Sequence, residues 1–188
     1  MSHQPSLRTE RLLLRPLTLA DAAEVQRLAG EREIAATTAA IPHPYPDGAA
    51  EAWIETHAGR FARGEGAAFA VTHRADGALL GVVGLEINAE MERAELGYWI
   101  GKPYWNQGYC TEAAAAAARF ALVDLGLRRV FAYHFSGNPA SGRVMQKIGM
   151  RHEGTLRQHA VRWGEVHDLE MYGLLAGEPI GGPDARDA

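Results

Sequence analysis

Between Gly97 and Glu112 the chain reads Gly-Tyr-Trp-Ile-Gly-Lys-Pro-Tyr-Trp-Asn-Gln-Gly-Tyr-Cys-Thr-Glu, an apolar strand pattern that runs through a Gly/Pro/Asn turn straight into an alanine-rich helix. A strand that feeds a helix through so short a loop is also an anion-binding device. The first turn of a helix leaves four backbone N–H groups without intrahelical partners, and the aligned peptide dipoles make that end partly positive. Gly108 lets the backbone come close to a ligand. The same loop type occurs where nothing binds, so a purely structural turn is the competing reading. Two familiar phosphate loops do not fit. There is no Gly-x-x-x-x-Gly-Lys-Ser/Thr, since Gly97-x-x-x-Gly101-Lys102-Pro103 is one residue short and lacks the hydroxyl. The Gly64-x-Gly66 pair follows a helix where a dinucleotide fingerprint needs a strand.

At 188 residues, 47% apolar and 22% charged, the chain is long enough for one good core and short for two. One domain is expected over 9–176, between flexible tails at 1–8 and 177–188. The net charge of -4 and the absence of any Lys/Arg cluster argue against nucleic acid as a partner. A single cysteine, Cys110, excludes an internal disulfide framework, and no signal peptide is evident, so a cytoplasmic location is expected. The longest apolar run, Ala113 to Ala118, is far below the ~20 residues of a membrane span. The eight histidines lack metal-ligand spacing, and no metal is expected.

Along the chain, residues 12–14 predict a first strand, and Thr18-Leu-Ala-Asp21 a capping-box start for a helix ending at Gly30. After a loop through Ile41-Pro-His-Pro-Tyr-Pro46, Asp47 is expected to cap a helix bearing Trp53, Ile54 and Phe61. Residues 69–73 and 79–87 read as a hairpin around Ala75-Asp-Gly77. The second half changes character: a strand at 94–100, a helix at 110–125 stopped at Gly126, and a strand at 130–135 make a parallel pair. Asn138-Pro139 then opens a short helix that Gly149 ends, and two strands at 155–162 and 166–174 flank Trp163-Gly164-Glu165. The expected fold class is α/β (α+β): a mixed, mostly antiparallel sheet with one central parallel strand-helix-strand crossover. Strands splay where a parallel pair interrupts such a sheet, and ligands favour the C-terminal ends of those strands.

Four passages resemble the GNAT N-acetyltransferases, and within them the branch of the RimJ and RimL ribosomal-protein N-terminal acetyltransferases. They are Leu12-Leu-Leu-Arg15-Pro16, Ile41-Pro-His-Pro-Tyr-Pro46, Ala94-Glu95-Leu-Gly97-Tyr98-Trp99-Ile100 through Gly108-Tyr-Cys-Thr111-Glu112-Ala113, and Asn138-Pro139-Ala140-Ser141 through Lys147-Ile148-Gly149-Met150. The resemblance runs from Leu7 to about Leu175. It implies the GNAT fold and acetyl-CoA (CoA) as co-substrate, with pyrophosphate on the backbone of Asn106, Gln107, Gly108, Tyr109, Cys110 and Thr111. It further implies the pantetheine arm alongside Trp99 and Ile100, a cofactor contact from Asn138, and a protein N-terminus or a small amine as acceptor. The oligomeric state stays open between monomer and homodimer. Four positions depart from the family pattern. Trp105 and Cys110 hold the first and last places of Gln/Arg-x-x-Gly-x-Gly/Ala, Met145 stands where many members carry an acidic tyrosine, and Ala160 stands where part of the RimL-like family carries a glutamate.

Acetyl transfer to an amine needs a neutral amine, a stabilised oxyanion and relief for the departing thiolate. Glu95 is the candidate base, because strand alternation puts it on the face of Gly97 and Trp99 beside the expected cofactor; the alternative is a solvent-facing glutamate. Ser141, at the same helix start as Asn138, offers a hydroxyl to the thiolate and to CoA, or acts only as a second cap. The oxyanion is expected to meet a backbone N–H near Trp99 or Ile100. Cys110 at a helix start could instead be a nucleophile partnered by His134, or simply a small residue in a tight turn. His43, Tyr45 and Trp53 could shape an acceptor pocket or pack against the sheet, and His167-Asp168 could orient an amine or make a structural bond. Glu86, Glu165, Asp168 and Glu170 are expected to present carboxylates to a cationic acceptor. A protein α-amine, with a pKa of ~7.7–8.0 against ~10.4 for lysine, needs less help from a weak base. A non-catalytic acyl-CoA sensor and a cysteine hydrolase are the rival classes.

Overall fold

The computed structural model describes residues 3–182, so positions 1–2 and 183–188 of the expected tails lie outside the described residues. Eight strands form one sheet in the order β1-β2-β3-β4-β5-β6-β8-β7. They are β1 (Leu7–Arg8), β2 (Leu12–Pro16), β3 (Gly66–His73), β4 (Leu79–Asn88), β5 (Arg93–Ile100), β6 (Arg129–Phe135), β7 (Arg151–Arg162) and β8 (Glu165–Leu175). Every neighbouring pair is antiparallel except β5–β6, as the crossover predicts. The helices are α1 (Ala22–Ala29), α2 (Arg32–Ala36), α3 (Ala49–Ala62), α4 (Tyr109–Arg119) and α5 (Pro139–Lys147).

Strand alternation assigns each helix to a face. Leu12, Leu14, Phe69, Val71, Ala94, Leu96 and Ile100 point to the side of α4 and α5 and make the larger core. Their in-between neighbours Ala70 and Trp99 point the other way, onto Val25 of α1 and Ile54 of α3. The alanine face of α4 lets the helix lie close on the sheet, with Ala114, Ala117 and Ala118 fully buried. Larger side chains such as Phe69 and Phe120, packed edge to face at 5.6 Å, contribute ~1.5–3 kcal/mol each by burial.

Four local expectations change. The helix expected over 110–125 leaves α geometry at Phe120 for a π turn through Asp124, in which the Leu125 N–H donates to Phe120 O. The wider turn lets Phe120, Ala121 and Leu122 all face inward while Val123 is 67% exposed. Helix α3 is capped by Gly48 in the left-handed region (φ 77°) instead of by Asp47, whose carboxylate accepts from Gln26 of α1. Helix α2 was not foreseen, since five residues without a side-chain cap carry no readable period. Within the expected tails, Leu7–Arg8 pairs with β2, Ile180 packs on the larger core, and the Gly181 N–H donates to Ile148 O. No described helix is long and apolar enough to cross a membrane.

Candidate active site

Strands β5 and β6 pair only at Arg93–Arg129, Ala94–Val130 and Glu95–Phe131. Beyond Glu95, β5 stays with β4 as far as Ile100, and β6 stays with β8 as far as Phe135, so a wedge opens between them. The β4–β5 ladder determines what lines it. Because the Gly101 N–H donates to Leu80 O, alternation directs the backbone of Trp99, Gly97 and Glu95 at β4. The N–H and C=O groups of Leu96, Tyr98 and Ile100 therefore point into the wedge. Ile100 O accepts from the Trp105 indole at 2.6 Å, so the departure from the family pattern at Trp105 ties the end of β5 to the loop. The Trp99 indole packs in the smaller core, away from the wedge, and the wedge-facing backbone belongs to Tyr98 and Ile100.

At the head of α4, Asn106 (φ 60°) and Gly108 (φ 82°) both take left-handed conformations, and Gly108 is the N-cap. Among the described residues, no group accepts from the N–H groups of Asn106, Gln107, Gly108, Tyr109, Cys110 and Thr111. The loop is braced from behind. Arg11 donates to Gln107 O at 2.8 Å, and its guanidinium lies 4.5 Å from the centre of the Tyr109 ring. Its other nitrogens hold Glu112, a carboxylate only 1% exposed that also accepts from Thr9 Oγ1 and the Arg11 N–H. In the first turn of α4 that negative charge is favoured by the helix dipole. Nothing in the sequence singled out Arg11, whose partner is about a hundred residues away.

Helix α5 meets the wedge from the other side. Asn138 Oδ1 accepts from the Ser141 N–H, and Ser141 Oγ lies 3.0 Å from the Tyr98 hydroxyl. Tyr98 was not among the sequence candidates; the signal was its place in the same strand as Glu95, one face over. Burial pushes its phenol well above the usual range, and the neighbouring Cys110 adds to the shift. Met145 is buried in the larger core. Cys110, partly accessible but packed on the larger core, has its thiol pushed up to about 12 by desolvation. That shift counts against a nucleophilic Cys110, which would need a thiolate. His134 keeps its Nδ1 at 2.8 Å from Phe135 O and sets its Nε2 against Gly142 of α5.

On the opposite face Glu95 is half-buried, with no hydrogen-bond or ion-pair partner among the described residues. Desolvation first, and then the like charge of its cross-strand neighbour Glu86, hold its carboxyl above the ordinary range. Glu86 itself is gripped by the Arg60 guanidinium. Beside Glu95, Gly84 and Gly97 are cross-strand partners, and a Cβ at Gly97 would meet nothing within 4 Å, so the floor is open there. Tyr133 of β6 shares this face; burial and then the Glu95 charge raise its phenol.

The expected acidic rim does not form. Glu170 and Asp168 lie on the face opposite Glu95, because Glu170 is paired with His134, which faces α5. Glu170 accepts from Ser136, Thr155 and His152, bonds that hold its carboxyl down at about 2. Asp168 accepts from the Gln158 N–H at 2.6 Å, and His167 packs on Phe135. Glu165 is exposed at the hairpin turn. That hairpin is anchored by Arg162, which donates to Ala35 O at 2.7 Å and also to Ile41 O and Ala39 O. His43 of the proline-rich loop meets Trp163 at 5.8 Å, while Tyr45 and Trp53 pack in the smaller core.

The family described as acetyltransferase (GNAT) domain matches residues 11–151. The uncharacterized N-acetyltransferase YoaA of Bacillus subtilis (strain 168) is 30% identical over 181 residues, which are 91% of this chain and 97% of that protein. RimJ of Mycobacterium smegmatis, solved in complex with CoA-disulfide, aligns with a TM-score of 0.80 at 21% identity, over 92% of this chain and 86% of its own. Spermidine N-acetyltransferase of Vibrio cholerae, solved with CoA and spermine, aligns with a TM-score of 0.78 at 22% identity, over 90% of this chain and 98% of its own.

Proposed function

The chain belongs to the GNAT acetyltransferase family, and from that premise we propose that it transfers the acetyl group of acetyl-CoA directly to the α-amine of a protein N-terminus. Two features fit the donor: six N–H groups without acceptors at the head of α4, and a wedge lined by the N–H groups of Tyr98 and Ile100. An extended amide-bearing arm can pair there as a strand would, with a diphosphate at its end on the helix start. Bound acetyl-CoA supplies the activated thioester.

The remaining work falls to this chain's own side chains. Glu95 takes the proton of the incoming amine, directly or through a water. The wedge-facing N–H groups stabilise the negative charge that gathers on the carbonyl oxygen. Ser141, fixed at the start of α5, hydrogen-bonds the departing sulfur. The observation that carries the choice of acceptor is the isolation of Glu95. Its neighbour Glu86 is paired with Arg60, Asp168 and Glu170 accept hydrogen bonds on the other face, and Glu165 stands away at the hairpin turn. One free carboxylate suits a single amine of modest pKa better than a polycation, whose several charges need several anions.

Competition among acceptors tests this. Peptide N-termini, spermidine, amino acids and aminoglycosides are compared by CoA release at equal enzyme. The proposal expects the best peptide to exceed every small amine in kcat/KM by about tenfold or more. A small amine that outruns every peptide overturns it, and CoA binding without turnover on any amine would make the protein a sensor.

A further inference from the structure

Ser141 is not free to point wherever a ligand needs it. The Tyr98 hydroxyl stands 3.0 Å from Ser141 Oγ and 3.0 Å from Ser141 O, and it has a single proton to give. Two arrangements satisfy this geometry. In one, Tyr98 donates to Ser141 O and the serine proton is given to the phenol oxygen. In the other, Tyr98 donates to Ser141 Oγ, and the serine proton is released to point elsewhere. Moving between them needs only two hydroxyl rotations, because both acceptors are equally near and Asn138 holds the Ser141 backbone in place.

We propose that Tyr98 is a positioning residue for Ser141: its hydroxyl holds the serine proton in the resting site and, by turning its own donation onto Ser141 Oγ, directs that proton at the sulfur leaving acetyl-CoA. The proposal rests on the role given to Ser141 above. Two observations favour it over plain core packing. The phenol leaves β5 on the side of α4 and α5 and ends with its oxygen on a helix start across the wedge, where a phenylalanine would fill the space without the bond. Helix α5 carries no tyrosine of its own and buries Met145 in the larger core, so the phenol that meets Ser141 comes from β5.

In the transfer, the acceptor nitrogen forms a bond to the acetyl carbon and the carbon–sulfur bond breaks. Sulfur leaves with that electron pair as a thiolate, and the surplus amine proton rests on Glu95 before passing to water. Neither Ser141 nor Tyr98 gives up its proton. A serine hydroxyl is far too weak an acid to protonate a thiolate, and a proton passed on from Tyr98 would strand a buried phenolate. What the pair supplies is a charge-assisted hydrogen bond to sulfur, aimed and strengthened by a second bond behind it.

The test is the ionisation of bound CoA itself, read from thiolate absorbance between pH 6 and 9, where the Cys110 thiol stays protonated. In the wild type the bound thiol should titrate below free CoA. Both Ser141→Ala and Tyr98→Phe should return it towards the free value. Tyr98→Phe should also lower kcat about tenfold, the scale of one hydrogen bond to a charged group, with CoA affinity and acceptor KM nearly unchanged. The double variant should be no worse than Ser141→Ala. If Ser141→Ala shifts the titration and Tyr98→Phe does not, the Tyr98 proposal falls and the Ser141 role stands. If neither shifts it, the Ser141 role itself fails. If Tyr98→Phe loses CoA affinity and thermal stability in parallel, Tyr98 is a packing residue and the proposal is overturned.

Discussion

Glu95 and Phe131 are the last pair at which β5 and β6 meet, and the wedge between the strands begins at their side chains. A carboxylate at that point is at once on the sheet, next to the opening, and partly shielded from water. Glu95→Gln should lower kcat by ~10²–10⁴ while leaving CoA affinity nearly intact, because a base acts on the amine and not on the donor. The pH profile carries the sign: kcat/KM should rise as Glu95 deprotonates, with an apparent pKa above the ordinary carboxylate range, and this limb should vanish in the variant. Stability runs the other way. With its folded-state pKa raised, the folded chain binds the proton more tightly than the unfolded chain, so stability falls as pH rises through that window. Glu95→Gln should therefore raise the melting temperature at pH 7 and lose that advantage in acid below the unfolded pKa. A pH profile and a Tm identical to wild type would return Glu95 to an idle surface position.

Gly108→Val tests the head of α4. At φ 82° a branched side chain is strained by ~1–2 kcal/mol, which for a domain of this size lowers Tm by about 2–8 °C. Its Cβ would also stand 3.2 Å from the Arg11 guanidinium that braces the loop. Calorimetry should show CoA affinity reduced by about tenfold or more, since the N–H groups lose their alignment. Unchanged affinity would mean that the loop does not hold the phosphates.

Arg162→Ala removes the bond network from the β7–β8 hairpin to Ala35 O, Ala39 O and Ile41 O. Hydrogen bonds from a charged group contribute ~1.5–3 kcal/mol, and the lower end applies to this partly exposed side chain. Acceptor KM should rise with CoA affinity constant, because the clamp joins the β7–β8 hairpin to α2 and the segment after it and touches neither α4 nor the wedge proposed for the donor. Arg162→Lys should not rescue it, as an ammonium cannot span the same carbonyls. A larger effect on CoA than on acceptor would contradict this division.

Cys110→Ala should keep most of its activity, and iodoacetamide at pH 7–8 should inactivate slowly or not at all, because the thiol is neutral there. Rapid alkylation with loss of turnover but retained CoA binding would revive the nucleophile.

Local signals in the sequence determined much of this molecule: seven of the eight strands, the glycine-bearing loop at 108 that feeds a helix, the Asn138-Pro139 helix start, and the single parallel crossover. Each depends on residues within a few positions of one another, and a strand-helix-strand unit admits essentially one hand. Glu95 and Ser141 could be proposed because strand period and cap chemistry are also local. The tertiary structure alone decided that Tyr98 reaches Ser141 across 43 positions, that Arg11 holds Glu112 behind the loop, and that Trp105 ties down Ile100. It also separated the carboxylates, with Glu86 spent on Arg60 and Glu170 turned to the other face. Partners of this kind depend on sheet order and on which face a strand presents, and a shift of register by one residue would reverse every one of them.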